Sequence, residues 1–457
     1  MAMSKQLMGQ VQYRIALVLP RSKTIVVERH SGTPQLPRIN ISTSGRPAEQ
    51  LTNKISKRWG IHSIVIDYLS EQSASSRCVL MEALIHNQAD GTNGLTFVCA
   101  DDLSDAELAQ GERKLLHHII AGDTDDRGPF SRIGWLKEAQ RWLRESTHDR
   151  ALDCAADVLQ LNASGSFALI RFATRSGHAY WLKATGVPNA HELLVTSTLA
   201  TLFPRFLPTV VATRNDWNAW ITEDIGQPLH NKLTLPTLEH AVKSLADLQM
   251  HSIPYVETLI AAGCTDRRIM ILKGQLDVFI DFLQLVMVQQ TSQKVLPLSK
   301  IRLREIGSLL DDACAKMQEL GIPDTLIHND INPGNILISG EHCVFIDWAE
   351  AFVGNPLFTF EHLLVYLKKA TGESQLWTSR LTTVYKRRWL DYLSEETLEK
   401  ALALAPFLAI AAYLCGRGAW LSSPASTSPE FRSYARSLAR RLDRAAQVPS
   451  LRKALCD

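Results

Sequence analysis

The stretch LIHNDINPGNILI, residues 326–338, places His328, Asp330 and Asn335 within eight positions, with Pro333 and Gly334 just before the asparagine. Asp, Asn, Pro and Gly all favour turns for local backbone reasons, so a polar turn between two apolar runs is one reading. The residues downstream tilt the balance toward chemistry. After a hairpin-like pair of strands turned at SGEH comes VFIDW, with Asp347 at the end of an apolar strand. Two carboxylates and an amide, delivered by a loop and a strand end, suit a hard cation such as Mg²⁺, which takes oxygen ligands and substrate phosphates. Asn335 and Asp347 can hold such an ion while Asp330 accepts a proton from a hydroxyl, a division of labour suited to phosphoryl transfer.

HNDINPGN followed by FIDW resembles the aminoglycoside phosphotransferase-like kinase family, whose signature is H-x-D-x-x-x-x-N with a downstream metal-binding Asp. The spacing is met without gaps; Asn329 stands where Gly is usual. The resemblance covers roughly residues 155–450. It implies a two-lobed, protein-kinase-like fold with ATP (or GTP) and Mg²⁺ as cofactors and a small-molecule hydroxyl as acceptor. In that scheme Asp330 is the base, Asn335 and Asp347 are the metal ligands, and His328 fixes the loop by hydrogen bonds.

The resemblance also predicts parts upstream. YWLKATG offers Lys183 on a strand, where an ammonium neutralises nucleotide phosphates, and NAHELLVTSTL offers Glu192 at a helix start to hold that lysine extended. NASGSFALIRF is the expected hairpin over the phosphates, with Gly165 in the turn and Ser164 or Ser166 as donors, although it lacks G-x-G-x-x-G. WITEDIGQPL is the expected hinge, with backbone groups around Glu223 and Ile225 binding adenine. Family members phosphorylate aminoglycosides, choline, homoserine, sugars and macrolides, so the resemblance does not select an acceptor. From Lys368 onward Lys and Arg outnumber Asp and Glu, which favours a neutral or anionic acceptor over a polycation. A different class of function is a nucleotide-binding regulatory protein or pseudokinase with a partner-binding N-terminal domain. A protein kinase proper is disfavoured, because no A-P-E segment follows FIDWAEAFVGNPLFTFEHLL.

The elements that must position these residues read as α+β. Residues 1–128 form a small α+β domain: strands in YRIALVLP and KTIVVE, a helix in RPAEQLTNKISKRWG, and further strands in IHSIVIDYL and at 78–85 and 95–99. The helix end NKISKRWGI aligns with the end of a Nudix box, but Lys54, Lys57 and Arg58 stand where that family needs carboxylates, so the expectation is a possible Nudix-like fold without hydrolysis. AGDTDDRGPF reads as a linker. Residues 129–225 then form a linker helix and a β-rich lobe, and residues 226–457 a helical lobe.

With 457 residues, 46% hydrophobic and 21% charged, the chain has ordinary globular composition. A net charge of +2 gives no electrostatic reason to bind nucleic acid. No run of about 18 uncharged apolar residues and no signal-peptide pattern is seen, so no membrane partner and a cytoplasmic location are expected. The eight cysteines are scattered without CxxC pairs and are expected as free thiols. Arg432, Arg436 and Arg440 recur every four residues and are expected as a solvated helix face.

Overall fold

The computed structural model describes residues 9–30, 32–70, 77–85, 95–122, 127–147, 158–174, 177–340, 342–371, 375–416 and 427–456. The chain divides into two compact units, Met1–Leu193 with Thr209–Asp224, and Leu194–Pro208 with Ile225–Asp457.

The first unit begins with β1 (Gln10–Val18), β2 (Ile25–His30), β3 (Thr33–Gln35), β4 (Arg38–Ser42), α1 (Pro47–Trp59), β5 (His62–Tyr68), β6 (Arg77–Ile85) and β7 (Leu95–Val98). These strands form one sheet in the order β3-β2-β1-β6-β5, with β4 pairing β1 and β7 pairing β2. The apolar run of β1 is explained by burial on both faces. Tyr13, Ile15 and Leu17 point into a core with Leu51 and Ile55 of α1, while Ala16 and Val18 point into a second core. Successive side chains leave a strand on opposite faces, so one strand supplies both layers.

Pro47 opens α1 and Gly60 closes it at φ 69°, a left-handed geometry that suits glycine. Lys54 donates to the Asn40 carbonyl at 2.6 Å, and Arg58 to the Arg38 carbonyl at 3.2 Å and to Glu28 at 2.6 Å. These cations tie the helix to the sheet at positions where a Nudix box carries acids.

The unit continues with α2 (Gln110–Ala121), α3 (Trp135–Thr147), β8 (Val158–Ala163), β9 (Ala168–Ala173), β10 (Ala179–Ala184), the start of α4 (Glu192–Leu202), β11 (Val210–Arg214) and β12 (Ala219–Glu223). Strands β8–β12 form an antiparallel sheet ordered β11-β12-β10-β9-β8. Its inward residues Ile170, Leu182 and Ile221 share the second core with Leu116 of α2 and Leu143 of α3. The buried Gln160 of β8 joins the two sheets. Its amide accepts from the Val65 N–H at 2.7 Å and donates to the Val65 carbonyl at 2.9 Å, completing the hydrogen bonding of a β5 residue. Gln160→Ala leaves two buried backbone groups unpaired, and the expected loss of unfolding free energy is roughly 2–4 kcal/mol. A denaturant titration in which the midpoint stays at the wild-type value would show that this bridge carries no stability.

The second unit contains β13 (Gln227–Pro228), α5 (Leu235–Ser252), α6 (Val256–Ala261), β14 (Thr265–Asp266), α7 (Ile269–Gly274), α8 (Leu276–Val288), α9 (Lys300–Glu319), β15 (Thr325–His328), β16 (Ile336–Ser339), β17 (His342–Phe345), β18 (Ala351–Gly354), α10 (Leu357–Thr371), α11 (Gln375–Trp389), α12 (Glu395–Cys415), α13 (Pro429–Ala445) and α14 (Pro449–Cys456). Two small sheets, β13-β16-β17 and β14-β18-β15, sit among the helices. The mixed α+β class, β-rich then helical, is as expected from the sequence. α12 is long and apolar enough to cross a membrane by composition, but Leu404, Phe407, Leu408 and Ala411 lie inside the core of this unit.

The expected solvated arginine face on α13 is not what the fold presents. Arg436 donates to the Val286 carbonyl at 3.2 Å, Arg432 to Gln289 at 3.1 Å, and Arg440 to Gln290. All three meet the C-terminal end of α8, where carbonyls without intrahelical partners and the negative end of the helix dipole favour cations.

Candidate active site

β15 is buried throughout and pairs with β18, His328 lying opposite Ala351. This pairing sets where the loop 329–335 begins. The His328 backbone N–H donates to Thr359 Oγ1 at 3.1 Å, and its Nε2 lies 2.8 Å from the Ile346 carbonyl. A carbonyl only accepts, so Nε2 carries the proton in that bond. The ring packs on Trp348 at 4.5 Å between centroids. His328, 2% exposed, therefore ties the start of the loop to the chain just before Asp347.

The loop is held by its own side chains. The Gly334 N–H donates to Asn332 Oδ1 at 2.8 Å, Asn332 Nδ2 to the Asp330 carbonyl at 3.0 Å, and the Asn335 N–H to the Asn332 carbonyl at 2.9 Å. Asn335 Nδ2 donates to the Asp330 carbonyl at 2.9 Å and to its carboxylate Oδ2 at 3.2 Å. Asn332 is a positioning residue that sequence reasoning missed; an Asn immediately before a Pro-Gly pair is the signal of a turn closed by its own side chain.

β16 and β17 pair from Ile336 opposite Phe345, and the Ile346 N–H donates to the Asn335 carbonyl at 3.0 Å. Asn335 and Asp347 are thus brought to the same open end of one hairpin. Asp347 has φ 69°, in the left-handed region that Asp and Asn tolerate better than other side-chain-bearing residues. The donor set fits Mg²⁺. The Asn335 amide nitrogen is committed to Asp330, which leaves its oxygen for a cation, and Asp347, a carboxylate residue, follows Ile346, whose N–H bonds the Asn335 carbonyl. Among the described residues no three His, Cys, Asp or Glu side chains converge.

In the first unit Lys183 lies on β10, the central strand of its sheet, opposite Leu169 and Trp220. Its ammonium pairs with the Glu192 carboxylate at the first residue of α4 and lies 5.6 Å from the Trp220 ring centroid. Glu192 is 1% and Lys183 16% exposed, so the carboxylate is sequestered while the ammonium keeps a path to solvent. Ser164, Gly165 and Ser166 form the tight turn between β8 and β9. The Gly165 carbonyl accepts from the Phe130 N–H at 3.0 Å, and a Cβ at Gly165 would overlap the Arg127 carbonyl oxygen. The turn is therefore seated on segment 127–131. That segment is itself held by Asp67, which accepts from Arg127 Nε at 2.7 Å and from the Ser131 hydroxyl. The Glu223 N–H is committed to the Thr209 carbonyl at 3.1 Å, and the division between the units falls just before Ile225.

Asp330 also lines a cavity of about 360 Å³ within the second unit, a size suited to a small molecule. Glu361 of α10, Tyr413 of α12, and Tyr434, Arg441 and Arg444 of α13 form its other walls. His362 stacks on Tyr413 at 4.5 Å. Burial pushes the Glu361 carboxyl up to about 7 against the opposing pull of Arg441, and burial lowers the Arg441 guanidinium from its ordinary value. None of these wall residues is marked out by a motif, although Tyr434, Ser437, Arg441 and Arg444 recur at helical spacing.

Residues 219–376 match the model of the phosphotransferase enzyme family. No curated protein matches. Solved structures to which the chain is similar include a choline kinase from Cryptosporidium parvum Iowa II, at 14% identity and TM-score 0.47 over 68% of this chain and 95% of that one. A choline/ethanolamine kinase family protein from Mesorhizobium loti gives 13% and 0.46 over 70% and 98%. The macrolide 2'-phosphotransferase MphH from Brachybacterium faecium gives 15% and 0.45 over 66% and 98%. The loop of Asp330, the hairpin and the strand-end Asp347 all fall within the segment that matches the phosphotransferase enzyme family model.

Proposed function

We propose that this protein transfers the γ-phosphoryl group of ATP (or GTP) to a hydroxyl of a small molecule with the help of Mg²⁺. The observation that carries this reading is the junction of Asp330, Asn335 and Asp347: the Asn335 amide donates to the Asp330 carboxylate, and the Asn335 carbonyl accepts from the residue just before Asp347. Asp330 orients the acceptor hydroxyl and takes its proton as the acceptor oxygen bonds to the γ-phosphorus. The bond from that phosphorus to the bridging oxygen breaks, and the nucleoside diphosphate leaves. Mg²⁺, when bound by Asn335 and Asp347, offsets the charge on the phosphates. Lys183, held by Glu192, pairs with nucleotide phosphates, with the turn at Ser164, Gly165 and Ser166 and the backbone around Glu223 and Ile225 completing the nucleotide site. Catalysis of this kind is positioning and electrostatics, which is why His328 and Asn332 serve the loop without touching the reactants. The cytoplasm is the proposed compartment: nucleoside triphosphate is at hand there, and the cysteines among the described residues, such as Cys264 and Cys415, are free thiols. Cys154 lies outside the described residues.

The test is thermal shift with ATP, GTP and Mg²⁺, followed by nucleotide-consumption assays over a panel of sugars, metabolite alcohols and antibiotics. Midpoint elevation that requires both nucleotide and Mg²⁺, with consumption stimulated by at least one acceptor, is the expected result. Mg-nucleotide binding with no stimulated turnover would favour instead a nucleotide-binding regulatory protein or pseudokinase whose N-terminal domain binds a partner. Absence of any nucleotide effect would overturn both readings.

A further inference from the structure

We infer that the acceptor is an anion, a hydroxylated small molecule whose carboxylate or phosphate is held by Arg441 with Arg444 and Lys369, while its hydroxyl faces Asp330. This rests on the reading of Asp330 as the base and names the substrate class of the same site.

The two faces of α13 use their arginines differently. Arg432, Arg436 and Arg440 are each tied down, to Gln289, the Val286 carbonyl and Gln290. Arg441, on the face carrying Tyr434 and Ser437, is half-buried, and its guanidinium has no hydrogen bond or ion pair to any described residue. A guanidinium carries five donors and keeps its charge at any physiological pH, so a half-buried one left unpaired is poised for an acceptor from outside. Arg444 and Lys369 line the same cavity and likewise make no side-chain hydrogen bond or ion pair to the described residues. Against these three cations stand the carboxyls of Asp330 and Glu361. Asp330 is the group that must meet the hydroxyl. Burial holds the Glu361 carboxyl well above the usual carboxylate range, which weakens the counter-charge it offers Arg441.

The cavity is therefore bipolar, with a proton acceptor on the loop and a cluster of cations on α10 and α13. Tyr413, already stacked with His362, and Tyr434 offer aromatic surface to the body of the ligand. A cationic amino alcohol or a polycation would place its charge among three like charges. A planar guanidinium instead meets a carboxylate or phosphate in a two-point geometry, which contributes more than a neutral hydrogen bond.

The test measures binding, so that it stands apart from turnover. The full-length protein is titrated with probes of one hydroxylated scaffold in four forms: carboxylate, phosphate ester, methyl ester and amine. The carboxylate or the phosphate ester is expected to bind at least roughly tenfold more tightly than the neutral ester, and the amine most weakly. Arg441→Gln is expected to raise the anionic probe's Kd roughly 10- to 100-fold and leave that of the ester within about twofold, and Arg441→Lys to recover part of the loss. If Arg441→Gln does not fold, Arg444→Gln and Lys369→Gln, both at exposed positions, are expected to reduce the same charge discrimination. Equal binding of the four forms, preference for the amine, or discrimination untouched by these variants overturns the inference. Anion-selective binding without phosphorylation of any probe would support the recognition and count against Asp330 as a catalytic base, so the two failures are distinguishable.

Discussion

Asp330→Asn is expected to lower kcat by roughly 10²- to 10⁴-fold, the usual cost of removing a positioned base. The substitution is nearly isosteric and retains one side-chain oxygen to accept from Asn335 Nδ2, which lies 3.2 Å from Oδ2 of the native aspartate. Three other features that hold the loop survive it: the Asn332 turn, the His328 contact to Ile346, and the two side-chain hydrogen bonds to the Asp330 carbonyl, which belongs to the backbone. The fold and Mg-nucleotide binding should therefore remain near wild type while turnover falls. Asn332→Ala separates positioning from proton transfer, because it frees the loop and leaves the carboxylate in place. It should lower kcat less than Asp330→Asn and leave the pH profile of the residual rate unchanged. Steady-state kinetics on a validated acceptor decides the matter, and near-wild-type kcat in Asp330→Asn would falsify the assignment of the base.

The second large effect is expected at Asp347. Its φ of 69° would strain most replacements, but Asn adopts the left-handed region readily. Asp347→Asn therefore removes a charge while keeping the backbone and a side-chain oxygen, which separates metal binding from folding. A roughly 10²- to 10³-fold loss of kcat/KM is expected, together with a requirement for higher Mg²⁺ concentration. A Mg²⁺ titration of activity gives the answer, and an unchanged half-saturating concentration would remove Asp347 from the metal ligands. Asp347→Ala is a poorer probe, since the strain at this φ would be mixed with the loss of the ligand.

Much of this site is legible in the sequence because its parts are close together in the chain. The loop and hairpin span Leu326 to Trp348, and their geometry follows from local rules: an apolar strand, a turn closed by Asn332 and a two-strand register. Lys183 and Glu192 are nine residues apart, and a strand end followed by a helix start is enough to bring them together. The seven-stranded sheet is only partly legible. β3 and β4 escape a reading of the pattern because they are three and five residues long, with prolines in and between them that weaken any alternation.

The sequence by itself determined which residues carry charge, which segments alternate or repeat on a helical period, and the spacing of His328, Asp330, Asn335 and Asp347 that carries the family resemblance. Only the tertiary structure decided which side of each element is used. On α13 the arginines look alike in the sequence. Three of them meet the end of α8, and Arg441 and Arg444 meet a cavity beside Asp330, because packing against α8 and α12 fixes the rotation of that helix. The turn at Gly165 is likewise visible in the sequence as a turn. That it is seated on segment 127–131 depends on Asp67, whose partners Arg127 and Ser131 lie 60 and 64 residues away and follow no local rule.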